Sequence, residues 1–347
     1  MFRRQQIGIG LAILVFAAAT PGNPFPSVAS AQTEDQEFSR EILAHARVFP
    51  EIGPGVAAIK SDASGRYYIL AEPATRISIF QSDGKRIGAI PNANSRGAKI
   101  VYAQDIDVDP KGHLYVADRG ANAVKIFDPD GSLSATIPVA APMSIVALSG
   151  GDFAVSSLLG SKLVSIYDAQ GKLARSFAEA SSEGVESGRN PAAPAPPAKI
   201  YGSAANYIYC IFNGLQDLTV RRYDRFGYAA YEASAQASDF TAQGKAKRWT
   251  SITIDQGGST ASSRPAIRAV AVDPVSQDVW AAIGEELVHF DKDGNRRAAY
   301  RTSTKDGARI EATAILIERN RILVADDPLG IFDFDLPERV SPAPAAQ

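Results

Sequence analysis

Five times along this chain a short apolar run ends in a tight turn closed by glycine. The closing pairs are Asp83-Gly84, Asp130-Gly131, Gln170-Gly171, Phe226-Gly227 and Asp293-Gly294. The glycines lie 47, 40, 56 and 67 residues apart, so one unit is being reused. The second unit is written most clearly. Asp105-Ile106-Asp107-Val108-Asp109 alternates as a strand does, Pro110-Lys111-Gly112 turns, and Leu114 to Ala117 forms a second strand. A polar turn from Asp118 to Asn122 leads to a third strand, Ala123 to Phe127, then Asp128-Pro129-Asp130-Gly131, and Leu133 to Val139 makes a fourth. Four antiparallel strands joined by short turns make one small twisted sheet.

The same order appears before and after this unit. Val56 to Ile59, Tyr67 to Ala71 and Arg76 to Phe80 precede it, and Ile145 to Leu148, Phe153 to Val155 and Leu163 to Tyr167 follow. A fourth copy runs through Tyr207 to Phe212 and Leu218 to Tyr223. A fifth has Ile267 to Val272, Val279 to Ala282 and Leu287 to Phe290. The sixth has Ala312 to Ile317, Ile322 to Ala325 and Gly330 to Phe334, with no closing glycine. Forty to fifty residues per four-stranded unit is the period of a propeller blade. The expected fold is therefore all-β, a six-bladed β-propeller of four-stranded antiparallel blades over residues 56–335. The last copy lacks a fourth strand, and the segment Phe38 to Phe49 is placed to supply it. Pairing the two ends of the chain would close the ring and remove exposed sheet edges. The longer spacings put insertions near 178–199, an Ala/Pro/Ser/Gly tract, and near 233–265, where Trp249 to Ile254 reads as an extra strand. Residues 336–347 read as a disordered tail.

The first 31 residues have a different logic. Arg3 and Arg4 precede an apolar run from Ile7 to Ala19, and a Pro/Gly/Ser stretch ends in Ala29-Ser30-Ala31. That is the order of a secretory leader, and the run is shorter than the ~20 residues of a membrane span. The expected mature chain starts at Gln32, with residues 32–55 as an N-terminal segment, in the periplasm or outside the cell and without a membrane span. A net charge of -2, or -4 once Arg3 and Arg4 are removed, excludes the basic footprint of a nucleic-acid binder. The single cysteine, Cys210, rules out a disulfide framework; it sits in Ile208 to Phe212 as a small buried hydrophobe would.

The segment Ile106 to Gly131, IDVDPKGHLYVADRGANAVKIFDPDG, resembles an NHL repeat. Asn122 falls where that family places its turn asparagine, whereas Ala123 and Val124 replace the family's histidine and the residue after it. The resemblance extends in spacing over about Val56 to Asp333 and is specific in wording in this one unit. WD40 repeats fit less well, because neither Trp249 nor Trp280 is followed by Asp. The resemblance implies a propeller and leaves function open, since the family holds binding scaffolds and a few enzymes.

Most reaction signatures are missing: there is no G-x-S-x-G, H-E-x-x-H or C-x-x-C motif. Propeller lyases that resemble this fold use several histidines around a channel metal. His45, His113 and His289 lie in an N-terminal segment, a turn and an apolar strand, which does not reproduce that set. Asp105, Asp107 and Asp109 share one strand face. As a calcium loop they fail, because Pro110 and Val116 stand where that loop requires Gly and Glu. Asp109 begins a turn. Asp105 and Asp107 lie on a channel-lining first strand, where Ala58 and Lys60 are their counterparts in the first copy. Two readings follow for them: a channel ion pair with a neighbouring Lys, or a cation site, with calcium as the candidate ion. No other cofactor is expected.

The turns between second and third strands gather at one rim of the channel. They contribute Glu72, Arg76, Asp118, Arg119, Asn122, Asn213, Asp326 and Asp327 as candidate ligand or partner contacts. The function this suggests is a monomeric binding scaffold that takes a protein or polar small molecule at that rim. The alternative is a metal-dependent, lactonase-like hydrolase or lyase with a cation in the channel.

Overall fold

A computed structural model describes residues 40–92, 97–157, 159, 162–179, 199–202, 206–213, 217–236, 267–283 and 285–337. The expected leader, the expected tail beyond 337, most of both expected insertions and the stretch Trp249 to Ile254 lie outside them. Two strands, β1 (Arg40–Leu43) and β2 (Ala46–Val48), precede the blades. Blade 1 is β3 (Val56–Ser61), β4 (Tyr67–Ala71), β5 (Ile77–Phe80) and β6 (Arg86–Ile90). Blade 2 is β7 (Ala103–Val108), β8 (Leu114–Asp118), β9 (Ala123–Phe127) and β10 (Leu133–Pro138). Blade 3 is β11 (Pro142–Ala147), β12 (Phe153–Ser157), β13 (Lys162–Tyr167) and β14 (Leu173–Glu179). Blade 4 is β15 (Lys199–Gly202), β16 (Ile208–Asn213), β17 (Asp217–Tyr223) and β18 (Ala229–Gln236). Blade 5 is β19 (Ile267–Val272), β20 (Val279–Ile283), β21 (Glu286–Phe290) and β22 (Arg296–Ser303). Blade 6 is β23 (Ala312–Ile317), β24 (Arg321–Asp326) and β25 (Gly330–Asp335), completed on its outer edge by β2.

The chain is thus all-β, with six blades of four antiparallel strands and no α-helix among the described residues. The ring closes as the sequence predicts. Ala46, Arg47 and Val48 pair with Asp333, Phe332 and Ile331 of β25. One strand was not expected: β1 adds to the outer edge of blade 5 and runs parallel to β22, Arg40 opposite Tyr300 and Leu43 opposite Ser303. Residues 40–48 therefore join two successive blades.

Period-two alternation divides each blade's apolar side chains between its two neighbours. In β8, Leu114 and Val116 pack against blade 1, while Tyr115 and Ala117 pack against blade 3. Repeated around the ring, this makes six apolar clusters, one per blade–blade interface. Cys210 is fully buried in the one between blades 3 and 4, where burial pushes its thiol pKa far up, the opposite of a reactive thiolate.

The closing glycines all have positive φ, and each donates its N–H to the carbonyl of the residue three before it, for example Gly171 to Asp168 at 2.8 Å. At Gly171 an added Cβ would lie 2.6 Å from Ile137 Cγ1, whereas at Gly84 nothing lies within 4 Å. Gly84→Ala is expected to cost about 1–2 kcal/mol from backbone strain alone. Gly171→Ala should cost distinctly more, because the Ile137 side chain must also shift. Paired urea denaturations check this order, and equal costs would contradict it.

Candidate functional site

The first strands of the blades line the channel. They enclose a cavity of ≈ 250 Å³ whose wall includes Lys60, Asp105, Asp107, Met143, Lys199, Tyr201, Ala269, Ala271, Thr313 and Ile315. The wall has two characters: the charged groups come from blades 1, 2 and 4, and blades 5 and 6 give mainly small or branched apolar side chains, with the Thr313 hydroxyl among them.

Asp107 makes an ion pair with Lys60, and Asp105 is held by hydrogen bonds. Lys60 Nζ lies 3.1 Å from Asp107 Oδ1, and Asp107 Oδ2 accepts the N–H of Ala147 at 2.8 Å. Asp105 accepts from the Ser144 hydroxyl at 2.5 Å, from the Ile145 N–H at 3.2 Å and from the N–H of Ile106 at 2.9 Å. Ser144 Oγ in turn accepts the N–H of Ile200 at 3.2 Å, so one carboxylate ties blades 2, 3 and 4. Burial pushes the Asp105 carboxyl above its usual range, opposed by the Lys60 charge, the Ser144 hydroxyl, Lys199 and the Ile145 N–H. At Lys60 burial acts downward, but the charges of Asp107 and Asp105 outweigh it and the ammonium pKa rises. Tyr201 lies with its ring 6.0 Å from Lys60 Nζ, and burial together with Asp105 raises its hydroxyl pKa. Lys60, Ser144 and backbone N–H groups thus already engage oxygens of both Asp105 and Asp107. Among the described residues no group of three or more His, Cys, Asp or Glu side chains could hold a metal ion.

None of the three histidines lines the cavity. His113 Nδ1 lies 2.8 Å from Asp109, and His45 pairs with Asp335 at 2.9 Å. His289 stacks on Trp280 and meets Asp278 at 3.0 Å.

At the rim, the eight candidates separate by what already holds them. Asp118 is completely buried. It accepts the N–H groups of Val101, Tyr102 and Ala121 and pairs with Lys125 at 2.7 Å. Asp326, its counterpart in blade 6, is also buried and accepts from Glu311 N at 2.6 Å and Leu329 N at 3.1 Å. Asn122, in the left-handed region at φ 51, accepts the N–H of Ala141 at 3.0 Å. These three clasp the linker between blades to the neighbouring turn. Asp327 makes a weaker clasp to Gly55 N at 3.2 Å and remains exposed. Glu72 is exposed and meets the Tyr102 hydroxyl at 3.3 Å, and Arg76 and Arg119 are exposed at the same rim. Asn213 ends β16, and its side chain lies outside the described ones.

Three channel groups, Ser144, Lys199 and Tyr201, were not singled out from sequence. Lys199 and Tyr201 stand on β15, whose four residues follow the Ala/Pro tract and carry one aliphatic side chain, too little for a periodic signal. Aligning first strands across all six copies would have exposed them, as it exposed Lys60.

The NHL repeat model matches residues 101–127, which spans β7 to β9. Comparison with curated proteins gives no match. Several solved structures share the fold at low identity. A catalytically inactive virginiamycin B lyase from Staphylococcus aureus with quinupristin has TM-score 0.50 and 15% identity, covering 84% of this chain and 98% of that one. Hydrazine synthase of Kuenenia stuttgartiensis has TM-score 0.52 and 11% identity over 84% and 98%. The WD40 repeats of RRP9 have TM-score 0.54 and 8% identity over 85% and 99%. Identities this low carry fold alone. The chain is a six-bladed β-propeller whose second blade matches the NHL repeat model.

Proposed function

We propose that this propeller is an exported binding scaffold, acting in the periplasm or outside the cell. It takes a polar ligand, or a loop of a partner protein, at the rim where the second-to-third strand turns meet the channel. The observation that carries this reading is the division of labour there. Asp118, Asp326 and Asn122 hold the turns in place, which leaves Glu72, Arg76, Arg119 and Asp327 exposed at the rim, outside the lining of the channel cavity. A concave mouth with a few fixed polar groups is the usual form of a ligand site. Arginine side chains are among the commonest energetic anchors of protein interfaces.

Two measurements test the proposal. Arg76→Ala with Arg119→Ala is expected to reduce partner capture from the exported fraction about tenfold. The unfolding midpoint should not change, since neither side chain is buried; unchanged capture sinks the assignment. Calcium, magnesium or zinc, each with an EDTA control, should leave the melting midpoint of the full chain where it is. A cation bound at a hundred times its Kd would stabilise by about 2.7 kcal/mol. A rise reversed by EDTA and lost in Asp107→Ala would replace the scaffold with the cation-dependent hydrolase or lyase.

A further inference from the structure

The channel cavity carries a charge pattern that the rim does not explain. Four charged side chains line it: Lys60, Asp105, Asp107 and Lys199. Lys60 and Asp107 pair with one another at 3.1 Å. The other two have no such partner. Lys199 Nζ donates to the Arg268 carbonyl at 3.1 Å, and among the described residues no carboxylate pairs with it. Asp105 is held by neutral donors, the Ser144 hydroxyl and the N–H groups of Ile106 and Ile145. Its Oδ1 accepts only the Ile106 N–H, at 2.9 Å, which leaves that oxygen room for a second donor. One cavity therefore holds an ammonium and a carboxylate, each without an ion-pair partner of its own.

Packing does not ask for the ammonium. Ile200, the next residue of β15, is fully buried between blades 3 and 4, whereas Lys199 is exposed. Nor do the two lysines offset the burial of Asp105, whose carboxyl pKa stays raised. A cation against Oδ1 would offset it. One free carboxylate oxygen is too few for a divalent metal ion but enough for an ammonium. The four formal charges cancel, so the site favours a ligand of no net charge that carries both signs. Blades 5 and 6 add the apolar surface of Ala269, Ala271 and Ile315. At about 15 Å³ for each enclosed water, a cavity of ≈ 250 Å³ admits a small organic molecule.

We propose that the channel cavity binds a free α-amino acid with an apolar side chain. Its carboxylate meets Lys199, its ammonium meets Asp105 Oδ1, and its side chain lies against blades 5 and 6. Pairing both groups removes two unmatched charges at once, in a partly buried setting where each contact is stronger than in open water. The site is separate from the rim and does not depend on partner capture there.

Calorimetric titration of the full chain with L-leucine and L-phenylalanine tests this, and saturable binding of at least one is expected. Three analogues of leucine each lack one recognised part: 4-methylpentanoate the ammonium, isopentylamine the carboxylate and glycine the apolar side chain. Each should bind at least about tenfold more weakly than L-leucine. Lys199→Met keeps the aliphatic stem and removes the charge. It should melt with the wild type and bind the amino acid about tenfold more weakly. Arg76→Ala with Arg119→Ala should leave amino acid binding intact, which separates this site from the rim. No heat from either amino acid at millimolar concentration overturns the proposal. Equal affinity for 4-methylpentanoate would make this a simple anion site and overturn it as well, as would binding that Lys199→Met leaves unchanged.

Discussion

Phe49→Ala is expected to destabilise the propeller by about 3–5 kcal/mol, the range for losing a buried aromatic side chain. For a domain of this size that is a fall of roughly 5–15 °C in melting midpoint. Phe49 follows the ring-closing strand and is only 4% exposed. Its ring lies 5.1 Å from Tyr67 and 4.9 Å from Phe80, in the cluster where blade 6 meets blade 1. The residue stands at φ 51, in the left-handed region that costs a side chain with a Cβ roughly 1–2 kcal/mol. An aromatic residue persists there because its ring fills the seam through which the circle closes. The backbone strain gives the prediction a second edge. Alanine keeps the strain and loses the ring, whereas Phe49→Gly loses the ring and relaxes the strain. Despite being one methyl smaller, Phe49→Gly should therefore be no less stable than Phe49→Ala. Calorimetric melts decide both points. A loss of only a degree or two in Phe49→Ala would mean that the seam does not depend on this side chain.

What could be read in the sequence follows from which interactions are local. The closing glycines mark hairpins because the turn's hydrogen bond spans three residues and requires a positive φ at a fixed place, so the signal is complete within the motif. The alternation of Leu114 to Ala117 is equally local, and it yields a strand whose two faces go to different neighbours. Ring closure was legible by elimination, because the sixth copy lacked a strand and the segment before the first had one to give. Lys60 and Asp107 emerged as partners because superposing two copies put them on adjacent first strands. β1 was not legible. A four-residue strand with one intermediate and three exposed side chains carries no amphipathic signature, and its parallel pairing with β22 follows from where β2 must go. The fates of Asp118 and Asn122 were hidden for a different reason. Asp and Asn are suitable in any polar turn, and only the three-dimensional approach of the Val101-Tyr102 and Ala141 backbone turns them from solvated residues into clasps.

Asp118 is the place where that hidden role has the largest consequence. It is fully buried and meets Lys125, itself only 6% exposed, at 2.7 Å, and Lys125 also donates to the carbonyl of Lys99. Burial alone would raise the Asp118 carboxyl pKa. The hydrogen bond from Lys125, the N–H groups of Tyr102 and Val101, and the Lys125 charge together outweigh burial and hold it below the usual carboxylate range. Asp118→Ala removes the counter-charge and leaves three backbone N–H groups and an ammonium without their acceptor, an expected loss of about 3–5 kcal/mol near neutral pH. The sign of the pH dependence follows from the lowered folded-state pKa. The carboxylate's contribution is complete above the unfolded-state value of about 3.9 and is lost as pH falls through the folded-state value. The gap between wild type and Asp118→Ala should accordingly be full at pH 7 and narrow in acid below pH 4, as read by urea denaturation at both. Adding Lys125→Met to Asp118→Ala removes the stranded ammonium and should recover part of the loss. Asp326 supplies the control within the same molecule. It occupies the same place in blade 6, but the residue corresponding to Lys125 there is Phe332, opposite Val324 as Lys125 is opposite Val116. Asp326→Ala strands the N–H groups of Glu311 and Leu329 but no cation, and should cost about 1–3 kcal/mol. If the two aspartates cost the same, the buried ion pair adds nothing beyond the clasp, and it is not what fixes the blade 1 to blade 2 linker.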